Sequence, residues 1–230
     1  MHAIKVGVIF AALLSLLGCV SYTTKKEAFP LMYENERPLS ILILPPINLT
    51  TASDAKEYYS ATIAEPLSLM GYYVLPMEVT SELLKNEGFS DTEMMLNTDP
   101  QKFKKYFGTD AVMYIRILKW DTAYYVIGGH LTVSVDAVLK STQTGNTLWQ
   151  YDGTVVLDTT GGSGGAGGLA GLLVKVVATA IQTAAADYMP VARQATFQTL
   201  TSLPAGKYHE QSGKDGAMQI IQKSKQQTAQ

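Results

Sequence analysis

Sulfur chemistry is almost missing from this chain: Cys19 is the one cysteine among 230 residues that include nine methionines and thirteen tyrosines. A lone thiol cannot close an intramolecular disulfide, so no disulfide framework organises the fold. Histidine is nearly as scarce. His2, His130 and His209 are the three, and with one cysteine they offer none of the ligand spacings of a zinc site. Excess positive charge is missing too: the formal net charge is −2, which gives no footing for nucleic-acid backbone recognition. No unbroken apolar run reaches the roughly 20 residues that a helix needs to cross a bilayer.

The longest such run is Val6 to Gly18, about a dozen residues preceded by Lys5. A positive start followed by a short apolar stretch is the pattern of a signal peptide, here residues 1–18. It does not end in the small residues of a soluble secretory signal. It ends Leu16-Leu17-Gly18-Cys19, which resembles the bacterial lipobox. That resemblance implies cleavage before Cys19, a diacylglycerol on its sulfur and an acyl chain such as palmitate on its new amino group. Several chains hold a membrane stably where one holds it marginally, since each buried methylene contributes about 0.8 kcal/mol. Val20 occupies the position where an aspartate would signal retention in the inner membrane, so the expected address is the outer membrane, facing the periplasm.

Residues 19–37 show no periodicity and mixed charge, and are expected to be a tether. The body is expected over 38–203. Leu39 to Leu44, LSILIL, is continuously apolar and predicts a central strand covered on both faces. Tyr59, Ile63, Leu67 and Met70 recur at helical spacing after a cluster of N-cap residues, predicting a helix over 55–70 with Gly71 just past its end. A strand at 72–75 and helices over 80–87 and from Asp99-Pro100 to Gly108 follow. From Asp110 the period becomes two. Strands near 111–118, 131–140 and 149–157 are joined by turns at 125–129 and 143–146. Two βα units followed by a three-stranded antiparallel meander make an α/β fold with a mixed sheet and helices packed on it.

Residues 161–168, GGSGGAGG, contain G-x-G-x-x-G, but the acid at Asp187 ends the next helical stretch instead of a second strand, and no Lys-Ser/Thr follows the glycines. The segment is therefore read as a hinge into an apolar helix over 169–188 that packs on the sheet, with another helix beyond it. Residues 204–230 are polar and expected to be disordered. Asp110, Asp121, Asp136, Asp152 and Asp158 fall at strand ends or on polar strand faces, where a solvated or hydrogen-bonded acid is the default. The chain thus offers no catalytic constellation, no cofactor site and no metal site, and reads as a non-enzyme.

GTDAVMYIRILKWDTAYYV followed by LTVSVDAVLKSTQTGNTLWQYDG resembles the strand-turn-strand core of CsgG-like lipoproteins, with Thr144-Gly145 and Leu148-Trp149 as its most specific piece. With ILILPPINLT upstream, the likeness covers residues 38–158 and extends to the N-terminal domain of TolB. The chain also resembles a family of bacterial lipoproteins without assigned function, whose bearers carry a CsgG-like lipoprotein as well. This implies an accessory or scaffolding role beside a CsgG-like partner, and a homodimer. CsgG builds its pore from two additional hairpins. Here the first position holds only Ala123 to His130, too short for strands of about 9 to 11 residues each, and the second holds the glycine run. The alternative is an oligomeric pore or export component in which residues 161–188 insert.

Overall fold

The computed structural model describes residues 21–89, 92–125, 128–158 and 188–222. In chain order these form β1 (Ser21–Thr24), α1 (Lys25–Ala28), β2 (Ser40–Ile43), β3 (Ile47–Asn48), α2 (Ala55–Leu69), β4 (Tyr73–Val74) and α3 (Met77–Asn86). Then come α4 (Thr92–Leu96), α5 (Pro100–Phe107), β5 (Ala111–Tyr125), β6 (Gly128–Ser141), β7 (Thr147–Asp158), α6 (Met189–Thr199) and β8 (Gln219–Gln222). Short 3-10 turns lie at Pro30–Met32 and Asp215–Ala217.

The main sheet runs β4-β2-β5-β6-β7, with β3 pairing β5 farther along. β2 is parallel to β4 and β5, whereas β5, β6 and β7 form the antiparallel meander. It is the expected mixed α/β sheet. Strand parity decides what each face meets. Ile41, Ile43, Met113, Ile115, Val133, Val135, Leu139 and Trp149 share one core with Tyr59, Ile63 and Leu67 of α2 and Ala192 and Ala195 of α6. Leu42, Leu44, Val112 and Tyr114 point the other way, onto Leu84, Met95 and Phe103 of α3, α4 and α5. That second layer explains why LSILIL is apolar at every position: β2 is covered on both faces. Beyond Tyr114 the second face turns polar. Arg116 pairs with Asp136 in the adjacent strand, and Ser134 shares a 2.8 Å hydrogen bond with Thr154, so only one side of the distal meander is buried.

The GTDA stretch is a joint between the two halves of the sheet. Gly108 ends α5 at φ +66, a left-handed conformation that favours glycine. Thr109 Oγ1 donates to the carbonyls of Ser40 and Ala111. The Asp110 carboxylate accepts from the backbone N–H groups of Leu39 and Ser40 at 3.1 and 3.2 Å and from Lys104 Nζ at 2.7 Å. These bonds set β2 in register against β5.

Two boundaries differ from the sequence-based expectation. Residues 21–37 are not a tether: β1 pairs antiparallel with β8, and Thr24 and Glu27 make a reciprocal capping box at the start of α1. Residues 204–222 are not a disordered tail, because β8 is that partner strand and Pro204, Gly206 and Ile220 are buried. Neither segment has a periodic apolar stripe. Their order comes from pairing with each other across the length of the chain, which no local pattern records. The hinge and apolar helix expected over 161–188 lie outside the described residues except for Tyr188. Among the described residues no helix is long and apolar enough to cross a membrane.

Burial pushes the Asp110 carboxyl upward, but the bonds from Lys104, Ser40 and Leu39 outweigh it and hold it below the usual aspartate value. Its contribution is therefore complete above about pH 4 and is lost as the pH falls through the lower folded value. Asp110→Asn is expected to unfold at lower urea than the parent at neutral pH, with the gap closing toward pH 2; a constant gap across an acid titration of urea midpoints would contradict this assignment.

Candidate functional site

Cys19, the one residue the sequence assigns a chemical role, lies outside the described residues, two positions before β1. The groups that sit nearest to it in the chain build a buried clasp. The capping box starts α1 at Thr24, which directs Lys25 inward while Lys26 and Glu27 stay exposed. Lys25 Nζ reaches Asp215 Oδ2 at 3.2 Å and the Leu203 carbonyl at 2.8 Å. Only 6% and 4% of the two charged side chains are exposed.

Asp215 is fully engaged. Besides Lys25 it accepts from Tyr33 Oη at 2.9 Å and from the Ala205 backbone N–H at 2.9 Å. Burial, and then donation of its proton to Asp215, pushes the Tyr33 phenol well above its ordinary value. The phenol thus remains a hydrogen-bond donor throughout the physiological range. Three donors converge on one buried carboxylate and fix both of its oxygens in place. The group holds separate segments of the chain together.

The same clasp is closed on its far side by two glycines. Gly206 N–H donates to the Met70 carbonyl at 2.8 Å, and Tyr208 N–H to Gly71 at 3.1 Å. A Cβ on Gly206 would sit 2.5 Å from the Gly71 carbonyl oxygen, so the close approach requires glycine. Tyr72 Oη donates to the Pro204 carbonyl at 2.7 Å, and Arg37 donates to Ser212 Oγ at 2.6 Å.

A second latch fixes the turn between β6 and β7. Glu36 accepts from Thr144 Oγ1 at 2.7 Å and Asn146 Nδ2 at 2.8 Å, while Gly145 takes φ +78. Although burial opposes it, bonds from Asn146, Ser141 and Thr144 keep the Glu36 carboxyl below its usual value. The Thr-Gly signature is thus a turn held by an acid from the N-terminal segment.

The remaining acids are dispersed. Asp121 pairs with Lys119 at 3.1 Å, and Asp136 with Arg116. Asp152 stands directly across from Asp136 on β7, the outermost strand. His130 lies on β6 and His209 in the strap against Gly71, far apart in the fold. Among the described residues no group of three His, Cys, Asp or Glu side chains could hold a metal. A shallow cleft of about 320 Å³ lies between residues 28–31 and 147–150, and none of the side chains lining it titrates.

The described residues form a mixed α/β sheet with helices packed on it and an N-terminal clasp, preceded in the chain by the lipobox-like sequence Leu16-Leu17-Gly18-Cys19. The chain belongs to the GNA1162-like family, described as "Putative lipoprotein GNA1162-like", whose profile matches residues 31–208. It is 32% identical over 152 residues to "Putative lipoprotein NMB1124/NMB1162" of Neisseria meningitidis serogroup B, covering 63% of this chain and 67% of that one. Lipoprotein GNA1162 from Neisseria meningitidis has a crystal structure with a TM-score of 0.49 and 32% identity, covering 62% of this chain and 96% of its own. The PelC dodecamer from Paraburkholderia phytofirmans gives a TM-score of 0.43 at 14% identity, covering 74% of this chain and 89% of its own.

Removing one member of the clasp leaves a buried charge. Lys25→Met is expected to cost about 3–5 kcal/mol, and Lys25→Met combined with Asp215→Leu to recover much of it. Urea denaturation of the two single variants and the double variant checks this; a double variant as unstable as the sum of the singles would contradict it. Gly206→Ala, which must push two backbones apart, is expected to lower stability by about 1–3 kcal/mol in the same assay.

Proposed function

We propose that this lipoprotein is acylated at Cys19, held in the outer membrane facing the periplasm, and serves as a non-enzymatic accessory that recruits another envelope protein by strand addition. The observation that carries this reading is the free outer edge of β7. β7 runs twelve residues, Thr147–Asp158, and among the described residues no strand pairs with its outer side. Soluble proteins usually shorten, charge or cover such edges, because unpaired N–H and C=O groups invite another strand. Residues 28–31 and 147–150 line a common cleft at the start of β7.

Side-chain chemistry narrows the partner. Register sets Arg116, Asp136 and Asp152 opposite one another across β5, β6 and β7. Arg116 compensates Asp136, and the row ends on a second acid at the edge. Like charges directly opposite are unfavourable and opposite charges favourable, so an incoming strand with Lys or Arg across from Asp152 offsets that second acid. Val156, 61% exposed, supplies an apolar contact two pairs farther along. A CsgG-like lipoprotein is the partner that the sequence resemblance suggests.

A photo-crosslinkable residue at Val156 of the lipidated protein, irradiated in intact cells, is expected to capture another envelope protein identifiable by mass spectrometry. Asp152→Lys is expected to reduce that adduct several-fold, and an exported Cys19→Ser form to lose it. Adducts made only of this chain would replace the accessory reading with a homodimer if they stop at two copies, or with an oligomeric pore if they form one large fixed assembly.

A further inference from the structure

The outer edge of β7 is not uniform along its length. Leu139 pairs with Trp149 and Lys140 with Thr147, so Leu148 is an extra residue in β7. Such a bulge leaves its residue unpaired, bends the strand and is a common device for ending pairing at a sheet edge. Its effect on the side chains is direct: Leu148 and Trp149, consecutive in sequence, are both buried. From Gln150 onward the alternation is regular, with Gln150, Asp152, Thr154 and Val156 exposed and the residues between them wholly or partly buried.

The N-terminal segment stands beside the same irregular stretch. Phe29 and Met32 share the core that holds Leu148 and Trp149, and Glu36 bonds Thr144 and Asn146 in the turn just before β7. The cleft of about 320 Å³ lies between residues 28–31 and 147–150, at the small end of the roughly 300–1,000 Å³ of ligand pockets. Ala28, Phe29, Pro30 and Leu31 form one wall, Leu148 and Trp149 belong to the other, and the lining includes no charged side chain. A charge placed there would lose its hydration without a counter-ion, whereas an apolar side chain loses nothing by entering. The cleft sits where regular pairing begins, beside the edge on which Asp152 favours a cation.

We propose that strand addition on β7 is confined to residues 150–158 and that the partner strand places one bulky apolar side chain in the cleft between residues 28–31 and 147–150. This rests on the strand-addition reading of the β7 edge and adds a register to it. Side chains on one face of a strand recur every second residue, so the partner residue across from Gln150 lies two positions from the Lys or Arg across from Asp152. The apolar group is that residue or the next one beyond it. Residues 28–31 thereby act as a specificity element: a segment with its cation in place but no apolar residue at that spacing pairs without its anchor.

The test reads register in addition to capture. A photo-crosslinkable residue is placed singly at Gln143, Gln150 or Val156 of the full-length protein and irradiated in intact cells, and the crosslinked peptides are mapped by tandem mass spectrometry. Adducts from Gln150 and Val156 are expected on one partner segment at sites about six residues apart, with a bulky apolar residue within two positions of the Gln150 site; Gln143 is expected to give none on that segment. Leu31→Trp and Thr147→Trp, which fill the cleft from opposite walls, should each reduce the Val156 adduct several-fold without lowering the urea midpoint. A partner segment that continues in register to Gln143, or an undiminished Val156 adduct in both filled variants, overturns the stop and the anchor and leaves strand addition standing. Absence at Val156 of an adduct with any other protein overturns both.

Discussion

The body of this protein depends on one buried pair of opposite charges, Lys25 and Asp215, separated by 190 residues of chain. Desolvating two ions is costly, and such a pair adds little net stability compared with apolar side chains of similar size. Its effect is to penalise alternatives. Any arrangement in which the first folded segment and the last fail to meet leaves a charge in a dry site. The bonds from Lys25 to Leu203 and from Tyr33 and Ala205 to Asp215 complete the coordination, so that the ends of the domain are held in one register.

Around that clasp the sheet divides its work by strand parity. On the β2 side it is covered by helices on both faces, and the parallel joint at Thr109 and Asp110 ties the helical half to the meander. Toward β7 it is covered on one face only, and the exposed face carries a ladder of paired charges and hydroxyls. The side of the sheet that is cheapest to leave in water is also the side that ends in an unpaired edge.

Much of this was legible beforehand, for identifiable reasons. LSILIL announced a doubly covered strand because burial on both faces removes alternation; Gly71 and Gly108 announced helix ends because each takes positive φ; the meander announced itself by period two. The chain ends were misread because their order is non-local. Lys25 and Asp215 look like ordinary surface charges in sequence, and β1 and β8 are four residues each, too short for a pattern. One local signal was present: Thr24-Lys25-Lys26-Glu27 spells a capping box, and it marked a helix start inside the supposed tether. The flanks of Cys19 carry the expectation of lipidation by themselves, while the β7 edge has no such local signal, because pairing order depends on the whole sheet.

The pairing of Ser21 with Gln222 brings the two ends of the folded body to one point. In effect the described chain closes on itself, its first and last described residues side by side in a ribbon of their own. Whatever is attached at Gln222 therefore stands beside Ser21, the first described residue. A reporter group placed at Gln222 itself would sense the surroundings of Ser21, at the other extreme of the chain's described length.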